Sequence, residues 1–292
     1  MPSLKEVRNR IVSVGSTMQI TSAMKMVSAA KLKRAQDGIT QMRPYAEKLQ
    51  EILSNLSGSL DSSENPYARN SGGKNILIIP ISSNRGLAGA FNANVAKKTW
   101  SLIRNEYNGC NITVMPIGKK VQDAFKRTDY IISGQDLPAN NNELFDGLSF
   151  AKVAPVAESV MSAFANKQFD KIIIVYNQFK NAAVQFTMAE QFLPVLPPAN
   201  TEKSGNTDYI YEPGKEYIVN DLVPRSLKTQ FYKAMLDSLA SEHGARMTAM
   251  HKATDNAKEM LRDLKITYNK ARQATITKEI LEIVGGAEAL NG

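Results

Sequence analysis

The chain has 292 residues, 43% of them hydrophobic, which suits a folded core and makes disorder the wrong default. Its single cysteine, Cys110, excludes an internal disulfide and a cysteine-based zinc cluster. The net charge of +8 is uneven: residues 1–57 hold nine Lys/Arg and four Asp/Glu, residues 225–292 hold eleven and eight, and residues 58–224 hold sixteen of each. The surplus therefore lies on the two ends, which predicts that they, and not the middle, meet an acidic partner.

Ser3-Leu4-Lys5-Glu6 has the pattern of a capping box and predicts a helix start. Leu4, Val7, Ile11, Val14 and Met18 then step by three and four, the spacing of a coiled-coil seam. The apolar positions next shift phase to Ile20, Met24 and Val27, which predicts a winding partner surface or a second partner. Gly15 lies near that shift, and close approach by another backbone is the expected reason for a glycine inside a helix. Val7 to Gln36 has no acidic residue, but carries Arg8, Arg10, Lys25, Lys31, Lys33 and Arg34. A merely solvated face would mix signs, so this stretch also points to an acidic partner. Arg43-Pro44 should kink or end the arm, with helical pattern resuming over Tyr45–Leu56.

Residues 58–73, rich in Ser, Asn and Gly, read as a linker. From Asn75 the rhythm changes. Ile76–Ile81 and Ile112–Ile117 read as strands, Ala90–Tyr107 and Lys119–Lys126 as helices, and Tyr130–Ile132 as a third strand. Leu148–Ala165 reads as a helix, Ile172–Tyr176 as a strand, and Val184–Phe192 as an antiparallel edge strand after a turn at Lys180–Ala183. That alternation predicts an α/β layer with a mostly parallel sheet. Pro194–Lys215 reads as loop around Tyr209–Pro213, and Pro224 should stop the chain before a last helix.

That last helix is expected over Arg225–Val284, with a seam at Leu236, Ala240, His243, Met247, Met250, Thr254, Ala257, Leu261, Leu264, Tyr268 and Ala271. At about 1.5 Å per residue it would run roughly 90 Å, too long for a small domain to cover. The simplest closure is an α/β architecture in which a long antiparallel coiled coil of the N- and C-terminal helices carries an inserted Rossmann-like domain. Its expected division is 1–57 and 216–292 for the two arms, 58–73 for the linker and 74–215 for the α/β domain.

Catalytic chemistry is hard to find. Ser82-Ser83-Asn84-Arg85-Gly86-Leu87-Ala88-Gly89 lacks the first glycine of a dinucleotide fingerprint, and no Gly-Lys-Ser/Thr P-loop exists. His243 and His251 are more than two helical turns apart, too far for one metal. No serine sits in a Gly-x-Ser-x-Gly elbow. No active site, metal or cofactor is expected. The first residues lack the apolar core of a secretory signal, and the apolar runs Ile76–Ile79 and Ile172–Val175 are only strand-length, so direct lipid insertion is not expected.

The stretches Ile11–Val14, Gln19–Val27 and Lys31–Gln36 closely resemble the amino-terminal arm of the gamma subunits of F-type ATP synthases. Ser241-Glu242, Arg246-Met247, Ala253–Ala257, Tyr268-Asn269, Arg272–Glu279 and Glu282–Ala287 are similar to the same family's carboxyl-terminal arm. The resemblance implies a non-catalytic central rotor shaft that transmits rotation of a membrane c-ring to catalytic sites on an alpha/beta hexamer, for proton-driven ATP synthesis. It implies that Met24, Lys25, Arg272 and Gln273 contact beta subunits. It also implies that Lys31, Lys33, Arg34, Tyr209, Tyr211 and Glu212 face the ring or an epsilon subunit. The cytoplasmic face of a bacterial inner membrane is the implied location. The family's Ser-Asp-Arg-Gly-Leu-Cys-Gly turn appears here with Asn84 for Asp and Ala88 for Cys, which removes any argument for a reactive thiol there. A basic coiled coil binding nucleic acid is the alternative; it would place stacking aromatics among the arm lysines, and Val7–Gln36 contains none.

Overall fold

A computed structural model of the chain describes residues 3–57, 66–69, 72–132, 137–138, 141–195 and 221–291. In chain order these form α1 (Leu4–Ser57), β1 (Asn75–Pro80), α2 (Phe91–Ser101), β2 (Asn111–Val114) and α3 (Lys119–Phe125), then α4 (Phe150–Ala165), β3 (Lys171–Phe179), β4 (Gln185–Leu193) and α5 (Val223–Asn291). A π-helical turn, Leu102–Glu106, prolongs α2, and Asn142–Phe145 is a 3-10 turn. Two compact units divide the chain: Met1–Ser28 with Met247–Gly292, and Ala29–Arg246.

The first unit pairs the start of α1 with the end of α5. The Glu6 amide donates to Ser3 Oγ at 3.2 Å, one half of the expected capping box, while the Glu6 carboxylate lies toward Arg10. Thr21 Oγ1 is 2.8 Å from Thr254 Oγ1, and Lys25 Nζ is 3.4 Å from His251 Nδ1. Partner numbers fall on α5 as they rise on α1, so the helices are antiparallel. On α5 the positions the heptad spacing predicts, Met247, Met250, Thr254, Ala257, Leu261, Leu264, Tyr268 and Ala271, are buried or half-buried, and Thr248, Ala249 and Ala253 beside them are half-buried too. On α1 Leu4, Val7, Ile11, Val14 and Met18 follow suit, with Val7 only 2% exposed.

The expected change of phase on α1 does not occur. The seam continues through Thr21, Lys25 and Ser28, while Ile20 and Val27 are 59% and 57% exposed and Met24 is half-buried. Polar residues can hold these positions because their groups are satisfied there: Ser28 Oγ donates to the Met24 carbonyl at 2.7 Å, and the two threonines meet each other. Gly15 is not explained by a close backbone either, since a Cβ built there meets nothing within 4 Å.

In the second unit a four-stranded sheet has the order β2-β1-β3-β4. β1 lies parallel to β2 and β3, and β4 runs antiparallel to β3. Alternation along the strands builds two cores. Leu77, Ile79, Ile172 and Ile174 pack with Val153, Val160 and Phe164 of α4 and with Leu227, Phe231 and Met235 of α5. Ile76, Ile78, Ile173 and Val175 pack on the opposite face with Val95, Val121 and Phe125. Each fully buried large side chain of this kind contributes about 1.5–3 kcal/mol. The β3–β4 turn is set by Asn181, whose Oδ1 accepts from the amides of Ala183 and Val184 at 3.0 and 2.7 Å. Gly244 of α5 faces that turn: a Cβ there would lie 3.3 Å from Ala182 Cα.

Two local expectations change, and a third, that Pro44 kinks or ends α1, loses its second option. Pro44 sits inside α1 without ending it. Pro224 falls in the first turn of α5, where a missing N–H costs no helical hydrogen bond. Tyr130–Ile132 is reduced to one parallel bridge between Val114 and Ile131, because a single bond on either side of Val114 is all the short segment makes.

Candidate functional site

The turn after β1 leads into α2 and also packs against the start of α3. The amides at the start of α3 are already occupied. Ser82 Oγ accepts from the Val121 amide at 2.9 Å, Asn84 Oδ1 accepts from the Lys119 amide at 3.1 Å, and the Ser83 carbonyl accepts from the Lys120 amide at 3.1 Å. These three bonds satisfy the first amides of α3 and close the turn against that helix. Among the described residues no group of three His, Cys, Asp or Glu is arranged for a metal ion. Nor is any helix among them long and apolar enough to cross a membrane.

The residues singled out from the sequence lie on helix faces instead. Lys25 is half-buried beside His251, whose Nδ1 is 3.3 Å from Asp255 Oδ2, and Met24 is half-buried next to it. Arg272 and Gln273 are exposed on α5. They lie some six turns from the Lys25 level, roughly 30 Å at 1.5 Å per residue, so the structure does not bring the four together. In the second unit Lys31, Lys33 and Arg34 are exposed on α1, with Lys33 paired to Asp37 at 2.9 Å. Tyr209, Tyr211 and Glu212 lie outside the described residues.

Two surfaces escaped sequence reasoning. Val12, Ile20, Met26 and Val27 are exposed and apolar on α1; the spacing of Ile20 and Val27 points to a winding seam or a second partner, of which only the second leaves them exposed, while Val12 and Met26 fall outside that pattern. Counting along the antiparallel pair from Thr21 and Thr254 puts Leu4 level with Ala271. Beyond that point every residue of α5 from 272 to 287 is exposed, including Ile276, Ile280, Leu281, Ile283 and Val284. A surface so apolar on a helix with no neighbour among the described residues marks a binding face.

Among the described residues the buried ionisable groups lie in the second unit. Burial lowers the His243 imidazole to about 4, helped by the nearby charges of Arg246 and Lys31. Burial raises the Asp237 carboxyl to about 6, against the opposing charges of Lys233 and Arg43. A carboxyl raised in this way holds its proton in the fold after the unfolded chain has released it, so its contribution to stability falls between pH 3.8 and about 6 and stays low above that. Asp237→Asn is therefore expected to raise stability at pH 8 by about 1–3 kcal/mol, with no gain below pH 4, measured as the shift in unfolding midpoint against pH. The lowered His243 acts in the opposite sense, with stability falling as pH drops from 6.5 toward 4, and that fall should be steeper in the variant.

A family model described as ATP synthase matches residues 3–290. The chain is 57% identical over 293 residues to the ATP synthase gamma chain of Christiangramia forsetii, and 56% identical over 296 residues to that of Flavobacterium johnsoniae, covering 100% of each chain. Among solved structures it is similar to a chain of the Tetrahymena thermophila mitochondrial ATP synthase central stalk and c-ring, at 26% identity and a TM-score of 0.58, covering 80% of this chain and 99% of that one. A chain of the Euglena gracilis mitochondrial ATP synthase shares the fold at 22% identity and a TM-score of 0.69, covering 98% and 94%.

Proposed function

The chain belongs to the ATP synthase gamma-chain family, and from that membership we infer that it is the central rotor shaft of an F-type ATP synthase. The observation that carries this reading is the bare end of α5, sixteen residues from 272 to 287 that are all exposed and include five large apolar side chains. A helix of that character is stable in water only when something surrounds it, and a hexamer of alpha and beta subunits supplies a sleeve with no fixed bonding partner. Smooth apolar contact lets the helix turn, while direction-sensing contacts are left to a few polar groups.

Lys25 with Met24 at one level, and Arg272 with Gln273 at another, are the beta-subunit contacts in this reading. Lys31, Lys33, Arg34, Tyr209, Tyr211 and Glu212 face an epsilon subunit and the membrane c-ring. The α/β domain, residues 74–215 beyond a linker at 58–73, is the foot of the shaft between arms 1–57 and 216–292. The shaft itself does no chemistry, and proton flow through the ring at the cytoplasmic face of a bacterial inner membrane turns it. The nucleic-acid alternative gains nothing from full-length similarity to gamma chains.

Cys110 is the only thiol in the chain and is partly exposed, so it takes one label. With a probe on Cys110, the chain reconstituted with cysteine-free alpha and beta subunits should show stepwise, one-directional rotation on ATP addition. A hexamer that hydrolyses ATP around a stationary probe would overturn the reading.

A further inference from the structure

The turn joining β1 to α2 contains a backbone conformation that its sequence does not favour. Leu87 has φ +61, in the left-handed region, and its side chain is 65% exposed, so packing of that side chain does not hold it there. The first half of the turn is tied to its surroundings: Asn84 Nδ2 donates to the Asn142 carbonyl at 2.7 Å, and Ser83 Oγ donates to the Arg85 carbonyl at 2.6 Å. The second half is held from α5. Arg246 donates through Nη2 to the carbonyls of Arg85 and Gly86 at 3.2 and 3.3 Å, and through Nε to Gly86 at 3.4 Å.

We propose that Arg246 is the positioning residue that fixes the Arg85–Leu87 backbone in its left-handed turn and so binds this turn to α5. Its own orientation is set one helical turn back. Glu242 takes Arg246 Nη1 at 2.6 Å, leaving the Nε and Nη2 edge of the planar guanidinium for the two carbonyls. Both side chains are nearly buried, so neither has water as an alternative partner. Lysine keeps the charge beside Glu242 but has no fork to span adjacent carbonyls. The sequence hides this link because Gly86 and Arg246 are 160 positions apart and the contact runs through main-chain oxygens.

The test is hydrogen exchange of peptides covering residues 82–90 in the full chain. Arg246→Lys is expected to speed exchange there by about threefold and Arg246→Ala by about tenfold, relative to the β1 and β3 peptides as internal controls. Asparagine adopts the left-handed region more readily than leucine. Leu87→Asn should therefore slow exchange about threefold in the Arg246→Ala background, although it replaces a solvent-exposed side chain. Arg246→Lys retains the partner of Glu242, so it reports on the turn even if Arg246→Ala misfolds. Unchanged exchange in Arg246→Lys, or no recovery by Leu87→Asn where Arg246→Ala folds, would overturn the proposal. This readout is independent of rotation, so it stands or falls apart from the rotor reading.

Discussion

Replacing Gly118 with alanine is expected to destabilise the second unit by on the order of 4 kcal/mol, a large part of the net stability of an ordinary domain. Gly118 precedes α3 with φ +99 and ψ +139, a region close to glycine-only. An added Cβ would lie 2.1 Å from the Ser82 carbonyl oxygen and 2.7 Å from its carbon. Both are backbone atoms, and neither can swing away. Ser82 N bonds the Ile117 carbonyl at 2.8 Å, and Ser82 Oγ caps α3 through Val121. Relieving the clash therefore breaks the join between β1 and α3. Conformational strain of about 1–3 kcal/mol adds to an overpacking cost of about 1–3 kcal/mol. Gly15→Ala makes the contrast, since an added Cβ there meets nothing within 4 Å and alanine gains about 1 kcal/mol in a helix. Chemical denaturation of both variants, followed by tyrosine and tryptophan fluorescence, measures the difference; equal midpoints would contradict the clash.

The comparison of these glycines also shows what could be read in advance. The heptad of α5 was legible residue by residue, from Met247 to Ala271, because its seam is apolar or small and its outer face charged. The same rule failed on α1 after Met18. There Thr21, Lys25 and Ser28 occupy the seam while Ile20 and Val27 face outward, so hydropathy alone tracks the wrong face. Apolarity records every surface that leaves water, including one covered by another chain, and cannot say which partner covers it. The sheet was legible where strands are buried on both faces, as in β1 and β3, and lost at Ile131, where one bridge is all that forms. The capping of α3 by Ser82 and Asn84, and the grip of Arg246 on the turn, depend on contacts between residues more than thirty positions apart. No local pattern carries those.

Reversing Lys25 to glutamate is expected to lower ATP synthesis by reconstituted complexes roughly threefold to tenfold while assembly and the chain's own fold are kept. An exposed or half-exposed charge contributes only about 0–1 kcal/mol to folding, so stability should barely move. The consequence lies in the surroundings. Lys25 is one of six basic residues in a stretch with no acid, and through His251 it adjoins Asp255. Glutamate there sets a second negative charge beside Asp255 and would repel the acidic partner proposed for this level of the shaft. Because a rotating shaft meets equivalent partners in turn, a contact must form and release, which suits screened charge better than a buried anchor. The penalty should therefore shrink as salt is raised, whereas a packing defect would be insensitive to salt. Lys25→Gln, which removes attraction without adding repulsion, should fall between the two. Proton-driven ATP synthesis measured beside ATP hydrolysis separates coupling from assembly: unchanged synthesis in Lys25→Glu, or a loss that salt does not relieve, would remove Lys25 from the set of coupling contacts.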